Sequence, residues 1–386
     1  MIKITFTGDI MLQSNMISNK NYNLIFEDIK KFLEESDFVV GNLETPISEE
    51  DSDIKNEKYC FTSPIEFAKA VKDANFNLVT VANNHCLDNG IVGIDKTIKS
   101  LEKINLDNIG LNENDNRKTY IKNFENFKVG FLSYTYGTNA FSNKVYLSKK
   151  DFYKVNLLQN QEMSSAKILK YLIQYNGKNI ILRGIKKICY ILNLFQFRIE
   201  PYLRREKSSK QKKQLDKDIK KLKKNNCNLI IACLHIGGQY SDKPQKYTKR
   251  IVKYIQKRGV NVIICNHEHL IHNISKENNN FVAYALGNFC SSNGVIEPPY
   301  DKMCEYSILI HMYIKKDQIN YTFSICKSIF DGKNVRVELL YNLIKNEKDI
   351  IKRNKLIKDN LIIVNKVLNS NYTTNDIDIL MEYEIK

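Results

Sequence analysis

A chain of 386 residues, 43% of them hydrophobic, can bury a large core as one domain with appendages or as two domains. The formal net charge is +16, yet the lysines are spread along a chain rich in Ile, Lys and Asn throughout. That even spread reads as compositional bias, which argues against nucleic acid as the partner, while the charge leaves room for an anionic substrate. Ile2–Thr7 alternates as a first strand and runs straight into Gly8-Asp9, with no signal-peptide pattern before it. Ile25–Glu35 carries helical spacing, and Phe38-Val39-Val40 is a short buried strand ending at Gly41-Asn42-Leu43-Glu44. Residues 48–60 read as a charged loop, and Ser63-Pro64 opens a helix reaching about Ala74, with Pro64 in the first turn. Asn77–Val81 is a strand ending at Ala82-Asn83-Asn84-His85; Ile94–Ile104 is helical, with short strands near Asn108–Gly110 and at Lys128–Tyr134.

The strand-and-helix rhythm breaks near residue 155. Residues 157–213 combine an apolar amphipathic core, Ile180 to Leu203, with a basic tail from Arg204 to Lys213. Two readings stand: an interfacial helix touching anionic membrane at the inner face, or a cap packed over the edge of a site. The rhythm resumes with a helix at Leu215–Lys224, a strand at Leu229–Leu234, a helix at Pro244–Arg258 and a strand at Val260–Cys265. Strands follow at Phe281–Leu286, Tyr306–Tyr313, Ile319–Lys327 and Val335–Tyr341. Residues 346–386 are lysine-rich and expected to be helical, beyond a main domain spanning 1–345. The nine cysteines form no CxxC, and Cys233, Cys265 and Cys290 sit in or beside apolar runs, which fits reduced thiols and a cytoplasmic location. No apolar run approaches the ~20 residues of a membrane helix.

Polar clusters sit at the C-terminal ends of these strands, where α/β sheets gather their sites. His267-Glu268-His269 follows a β-branched run, and residues two apart point the same way only on extended or turning backbone, so the two rings form a chelating pair. His235 ends another buried strand, with Gly237 and Gly238 opening space beside it. Asn83-Asn84-His85 offers two amides and an imidazole; Asn-Asn is also a good turn. Asp9 is a hard oxygen donor or a turn aspartate, and Asn42 and Glu44 offer oxygens or simply line a loop. His272 reads as solvent-facing or structural, and His311 as packing within a strand. Four of the six histidines fall at strand–loop junctions, a coincidence that points to a metal site. GxxxxGK[ST], GxGxxG and GxSxG are absent, and the basic run 204–213 lacks the interleaved aromatics of an RNA-binding surface.

In order, Gly8-Asp9-Ile10-Met11, Gly41-Asn42-Leu43-Glu44-Thr45-Pro46, Ala82 through Gly90, His235 through Tyr240, His267-Glu268-His269 and Tyr284 through Phe289 resemble the CapA family of bacterial capsule and poly-gamma-glutamate synthesis proteins. That family is similar to calcineurin-like metallophosphoesterases, and the resemblance covers residues 1–150 and 214–292. It implies a four-layer α-β-β-α metallophosphatase-like sandwich, here with an insertion and a C-terminal helical extension. It also implies Asp9, Glu44, Asn84, His235, His267 and His269 as ligands of one or two divalent ions (Mn, Fe or Zn), with Asn42, Asn83 and Asn288 in support. His85 would be the general acid. Met11 stands where the wider superfamily places a second ligand histidine, and Glu268 replaces the usual proline, as a supporting carboxylate or an exposed one. The implied activity is a metal-dependent hydrolase acting on a phosphoester or an anionic polymer or precursor. The alternative is a non-catalytic capsule-assembly component that binds polymer or partner enzymes.

Overall fold

The computed structural model describes residues 1–12, 20–57, 60–115, 117–161, 209–291, 302–316, 318–331 and 334–386. The first half holds β1 (Ile2–Ile10), α1 (Glu27–Leu33), β2 (Phe38–Leu43), β3 (Ile47–Ser48), β4 (Lys55–Glu57), β5 (Cys60–Pro64), α2 (Ile65–Asp73) and β6 (Leu78–Thr80). Next come α3 (Gly90–Lys103), β7 (Asp107–Ile109), β8 (Tyr120–Phe124), β9 (Phe127–Thr135), α4 (Ala140–Asn143), α5 (Ser209–Lys224) and β10 (Leu229–His235). Then follow α6 (Lys246–Gln256), β11 (Val262–Asn266), β12 (Ile274–Glu277), β13 (Asn280–Ala283), β14 (Asn288–Cys290) and β15 (Tyr306–Lys315). The chain closes with β16 (Gln318–Phe330), β17 (Val335–Leu339), α7 (Leu340–Asn346), α8 (Ile350–Leu368) and β18 (Tyr383–Glu384).

Two large sheets result. The first runs β17-β16-β15-β1-β2-β6-β7, with β14 added to β1 and β18 to β16; the second runs β12-β13-β11-β10-β9-β8. Strand alternation sorts the core into layers, since successive side chains leave a strand on opposite faces. In β10, Leu229, Ile231 and Cys233 enter the core between the sheets, together with Ile4, Phe6, Phe38 and Val40 of the first sheet. Ile230, Ala232 and Leu234 face the other way, onto Leu215, Ile219 and Leu222 of α5 and Ile251 and Ile255 of α6. Val39 and Val79 of the first sheet likewise face outward, onto Ile29, Val71, Ile94 and Leu101 of α1 to α3. Helices, sheet, sheet, helices: this is the four-layer α-β-β-α order that the resemblance implies.

The elements differ from the sequence expectations where runs are short. Residues 48–60 are not a plain loop but hold β4 and the start of β5, strands too short to show alternation. Pro64 is the N-cap of α2, with an extended ψ of 156°, rather than part of its first turn. The strand expected over Val335–Tyr341 stops at Leu339, and Leu340 begins a helix. The C-terminal extension is helical only as far as Leu368, after which β18 pairs antiparallel with β16. The amphipathic segment Ile180–Leu203 and the first half of the basic tail, on which the membrane-contact and cap readings rest, lie outside the described residues; residues 209–213 of the tail begin α5. No helix among the described residues is long and apolar enough to cross a membrane.

Candidate metal centre

The register of three parallel strands lays down half of the site. Asp9 on β1 is paired with Asn42 on β2 and with Asn288 on β14, so three polar side chains stand in one row at the sheet's C-terminal edge. Glycine is required at position 8 because a Cβ there would lie 2.1 Å from the Gly287 carbonyl oxygen, closing the gap between β1 and β14. The second sheet supplies the other half: His235 ends β10 opposite Asn266 of β11, and His267 and His269 follow in the turn beyond. Both of these turn histidines have left-handed backbone, φ +108° and +56°. Non-glycine residues adopt it only when the surroundings hold them there, at a cost of about 1–3 kcal/mol each.

The two rows meet across the seam between the sheets. The His267 backbone N–H donates to Asp9 Oδ2 at 3.2 Å, and Asn42 Nδ2 donates to Asp9 Oδ1 at 2.7 Å. His235 Nε2 lies 2.6 Å from Asn84 Oδ1, 3.0 Å from His267 Nδ1 and 3.3 Å from Glu44 Oε1. His269 Nδ1 lies 2.9 Å from Asn288 Oδ1 and 3.3 Å from Asp9 Oδ2. Asn83 alone among the expected residues points away: its Nδ2 donates to Leu43 O and its Oδ1 accepts from His85 N, so it shapes the turn.

Glu44 sits in the middle, fully buried, and neither of its carboxylate oxygens has a hydrogen-bond partner of good geometry. Burial alone would raise its pKa, but the imidazoles of His235 and His269 outweigh that and hold it down at about 2. Burial likewise pushes Asp9 upward, helped by the Glu44 charge. His269 moves up to about 9: burial opposes its proton, but Glu44 and Asp9 favour it more strongly. Burial, with His235 and His269 beside it, drives His267 well below the usual range. Buried carboxylates amid imidazoles are a donor set that fits a divalent cation. The ligand atoms of Asp9, Glu44 and His235 lie within 4.8 Å of one another, as do those of Glu44, His267 and His269. Glu44 belongs to both groups. Met11 is buried and binds β14 through its backbone, its N–H donating to Cys290 O.

His85 faces this centre with one nitrogen only. Its Nε2 is 3.9 Å from Glu44 Oε1, while its Nδ1 lies 2.6 Å from Asp88 Oδ2. Asp88 Oδ2 also accepts from the Phe61 N–H at 3.0 Å, and the Phe61 ring stacks on the imidazole at 4.2 Å. Burial works against a charged His85, but Asp88 prevails and raises its pKa. Sequence reasoning gave Asp88, Tyr136, Asn139 and Tyr240 no role. Asn139 Oδ1 accepts from Asn84 Nδ2, turning the Asn84 oxygen toward His235. The Tyr136 ring lies 4.5 Å from that of His267, and the Tyr240 ring 5.7 Å from that of His269. The i, i+3 spacing of Asp88 from His85 was the available signal for the first; the strand end after β9 was the signal for Tyr136 and Asn139. Glu268 is not exposed: it is buried, which raises its pKa to about 9 against the Gly238 backbone and the His269 charge, and it packs so closely on Gly237 that a Cβ there would lie 2.0 Å from its Oε1. His272 is buried too, so of its two readings the structural one stands.

Residues 3–293 match the family described as "Bacterial capsule synthesis protein PGA_cap". The chain belongs to this family. Among its relatives, it is 23% identical to "Capsule biosynthesis protein CapA" of Bacillus anthracis over 317 residues, 80% of this chain and 64% of that protein. It is 23% identical to "PGA biosynthesis protein CapA" of Bacillus subtilis strain 168 over 301 residues, 76% of this chain and 64% of that one. The chain thus spans less than two thirds of the length of these capsule synthesis relatives. Two solved structures are similar at low TM-score. One, described as a novel phosphatase of Mycoplasma pneumoniae, has a TM-score of 0.36 at 13% identity over 88% of this chain and 92% of that chain. The other, TT1561 of Thermus thermophilus, has a TM-score of 0.34 at 7% identity over 80% and 93%.

Proposed function

We propose that this capsule synthesis family member is a metal-dependent hydrolase acting on a phosphoester or on an anionic polymer or its precursor, poly-gamma-glutamate being one such polymer. The observation that carries the proposal is Glu44, fully buried among the imidazoles of His85, His235 and His269 and common to two groups of potential ligands. Asp9, Glu44, Asn84, His235, His267 and His269 would hold one or two divalent ions, Mn, Fe or Zn. Bound ions supply charge neutralisation at the substrate and a more acidic water. The chain's own part is defined by hydrogen bonds. Asp88 accepts a hydrogen bond from Nδ1–H of His85 and so fixes which nitrogen faces the centre; the raised pKa favours a proton on Nε2 for transfer to a leaving oxygen. Asn42 and Asn288 orient Asp9 and His269.

Elemental analysis of wild type beside His267→Ala/His269→Ala tests the centre: near two equivalents, lost in the variant, is expected. His85→Ala should then abolish turnover of a generic phosphoester while retaining metal. The second reading, a non-catalytic assembly component binding polymer or partner enzymes, draws on Met11, a thioether at a position where the wider superfamily has an imidazole. Metal without turnover in wild type would select it.

A further inference from the structure

Ten large hydrophobic side chains are exposed among the described residues, and six of them fall between Ile350 and Met381, which sets the C-terminal segment apart from the rest of the surface. Helix α8 has one committed face: Asn360, Ile363, Val364 and Val367 are buried, and the three apolar residues join the inter-sheet core. The opposite face is open. Ile350 is 73% exposed, Ile351 82% and Ile362 43%. Positions 351, 355, 358 and 362 recur at helical spacing, so Ile351, Lys355, Lys358 and Ile362 form one stripe along α8. The stripe continues past the helix end, because the Asn365 side chain holds Tyr372 by both backbone groups, Nδ2 donating to its carbonyl and Oδ1 accepting from its N–H, with Tyr372 41% exposed.

The charge along this stripe is mainly positive, with exposed carboxylates only at its two ends, Asp349 before the helix and Asp376 and Asp378 beyond Tyr372. Lys348, Lys352, Arg353, Lys355 and Lys358 are all exposed. The nearby acids are committed within the fold: Asp349 caps the helix through Ile351 N and Lys352 N, Glu347 accepts from Asp349 N, and Asp359 accepts from Tyr306 OH. Cations interleaved with isoleucines and ending at a tyrosine match the headgroup region of a bilayer, where lysines reach outward to phosphates while apolar side chains enter the acyl boundary. A water-soluble polyanion would use the lysines but offer the isoleucines nothing.

We propose that this open face of α8, with Tyr372, docks on an anionic lipid surface. The proposal goes beyond the hydrolase reading and does not depend on it. The intact chain should sediment with phosphatidylcholine vesicles containing about a third phosphatidylglycerol and not with phosphatidylcholine alone. Ile351→Glu/Ile362→Glu should lose at least about fivefold of that binding, and Lys352→Glu/Lys355→Glu at least about 25-fold, since each lysine near such a surface is worth roughly fivefold. The side chains are exposed, so circular dichroism should show both variants folded. The chain has no tryptophan. Ile362→Trp therefore provides a lone fluorophore, whose emission should shift to the blue with anionic vesicles. Absence of wild-type binding, equal binding to neutral vesicles, full binding by either double variant, or an unshifted tryptophan would overturn the proposal.

Discussion

Asp88 shows how one side chain can govern another. Its carboxylate lies 2.6 Å from His85 Nδ1 and accepts the Phe61 N–H as well, so it fixes both the position and the proton of the imidazole. Asp88→Asn keeps the shape but removes the charge that raises the His85 pKa. Turnover should fall by about 10–100-fold, the size expected for loss of an orienting carboxylate. The limb of the pH–rate profile belonging to the general acid should move to lower pH, and metal content should stay at the wild-type value. The sequence showed Asp88 within a motif but not its role, because a short turn brings it to His85 and hydrophobic periodicity says nothing about turns. Asp9, Glu44, Asn84, His235, His267 and His269 were legible for the opposite reason. Each follows a strongly apolar strand, and the parallel register that unites them is set by those same runs. Glu268 could not be placed from sequence, because its burial depends on the left-handed turns at its neighbours, His267 and His269, and on the close approach of Gly237.

At the scale of elements, long periodic segments were readable and short ones were not. β10 and α3 have enough residues to declare a period; β12, β14 and the small strands around Lys55 do not. The last strand was missed because its two residues are recruited by tertiary contact rather than by pattern. β18 is nevertheless well anchored. Tyr383 is buried, stacks on Phe323 at 5.2 Å, and accepts a hydrogen bond from Asn360 Nδ2. Tyr383→Ala should destabilise by about 3–5 kcal/mol in urea titration. Next to it, Glu382 accepts from Lys3 Nζ, Tyr313 OH and Thr322 Oγ1. Burial would raise its pKa, but these bonds, with His311 close by, hold it at about 2. A carboxyl depressed on folding contributes stability above its unfolded pKa, and that contribution is lost as pH falls from about 4.5 toward 2. His311 adds to the loss. It is buried between Thr5 and Ser324 with its pKa pushed down to about 3, so the unfolded chain takes up its proton first as pH falls below about 6.5. The melting temperature should therefore decline from about pH 6.5 downward, and Glu382→Gln should flatten the part of that decline below about 4.5.

For the molecule as a whole, the centre is divided between two sheets. Asp9, Asn42, Glu44, Asn84 and Asn288 come from the first and the turns that leave it, while His235, His267 and His269 come from the second. An ion bound there ties the sheets together and stabilises only the folded state, by about 2.7 kcal/mol at a hundredfold excess over its Kd. Saturating Mn or Zn should raise the melting temperature of wild type and leave that of His267→Ala/His269→Ala unchanged; an equal rise in both would place the ion elsewhere. The same division has a consequence for how the protein is made. β1 lies between β2, which is synthesised soon after it, and β14 and β15, which emerge about 280 residues later. Closing so long a loop is slow, and on the ribosome it must wait for most of the chain. Until residues 235–269 are made, His85 is the one imidazole of the centre present beside Asp9 and Glu44. An ion taken up here would meet two rows whose spacing folding has already fixed, so a choice among competing metals would be made by a finished site and not by a flexible chain.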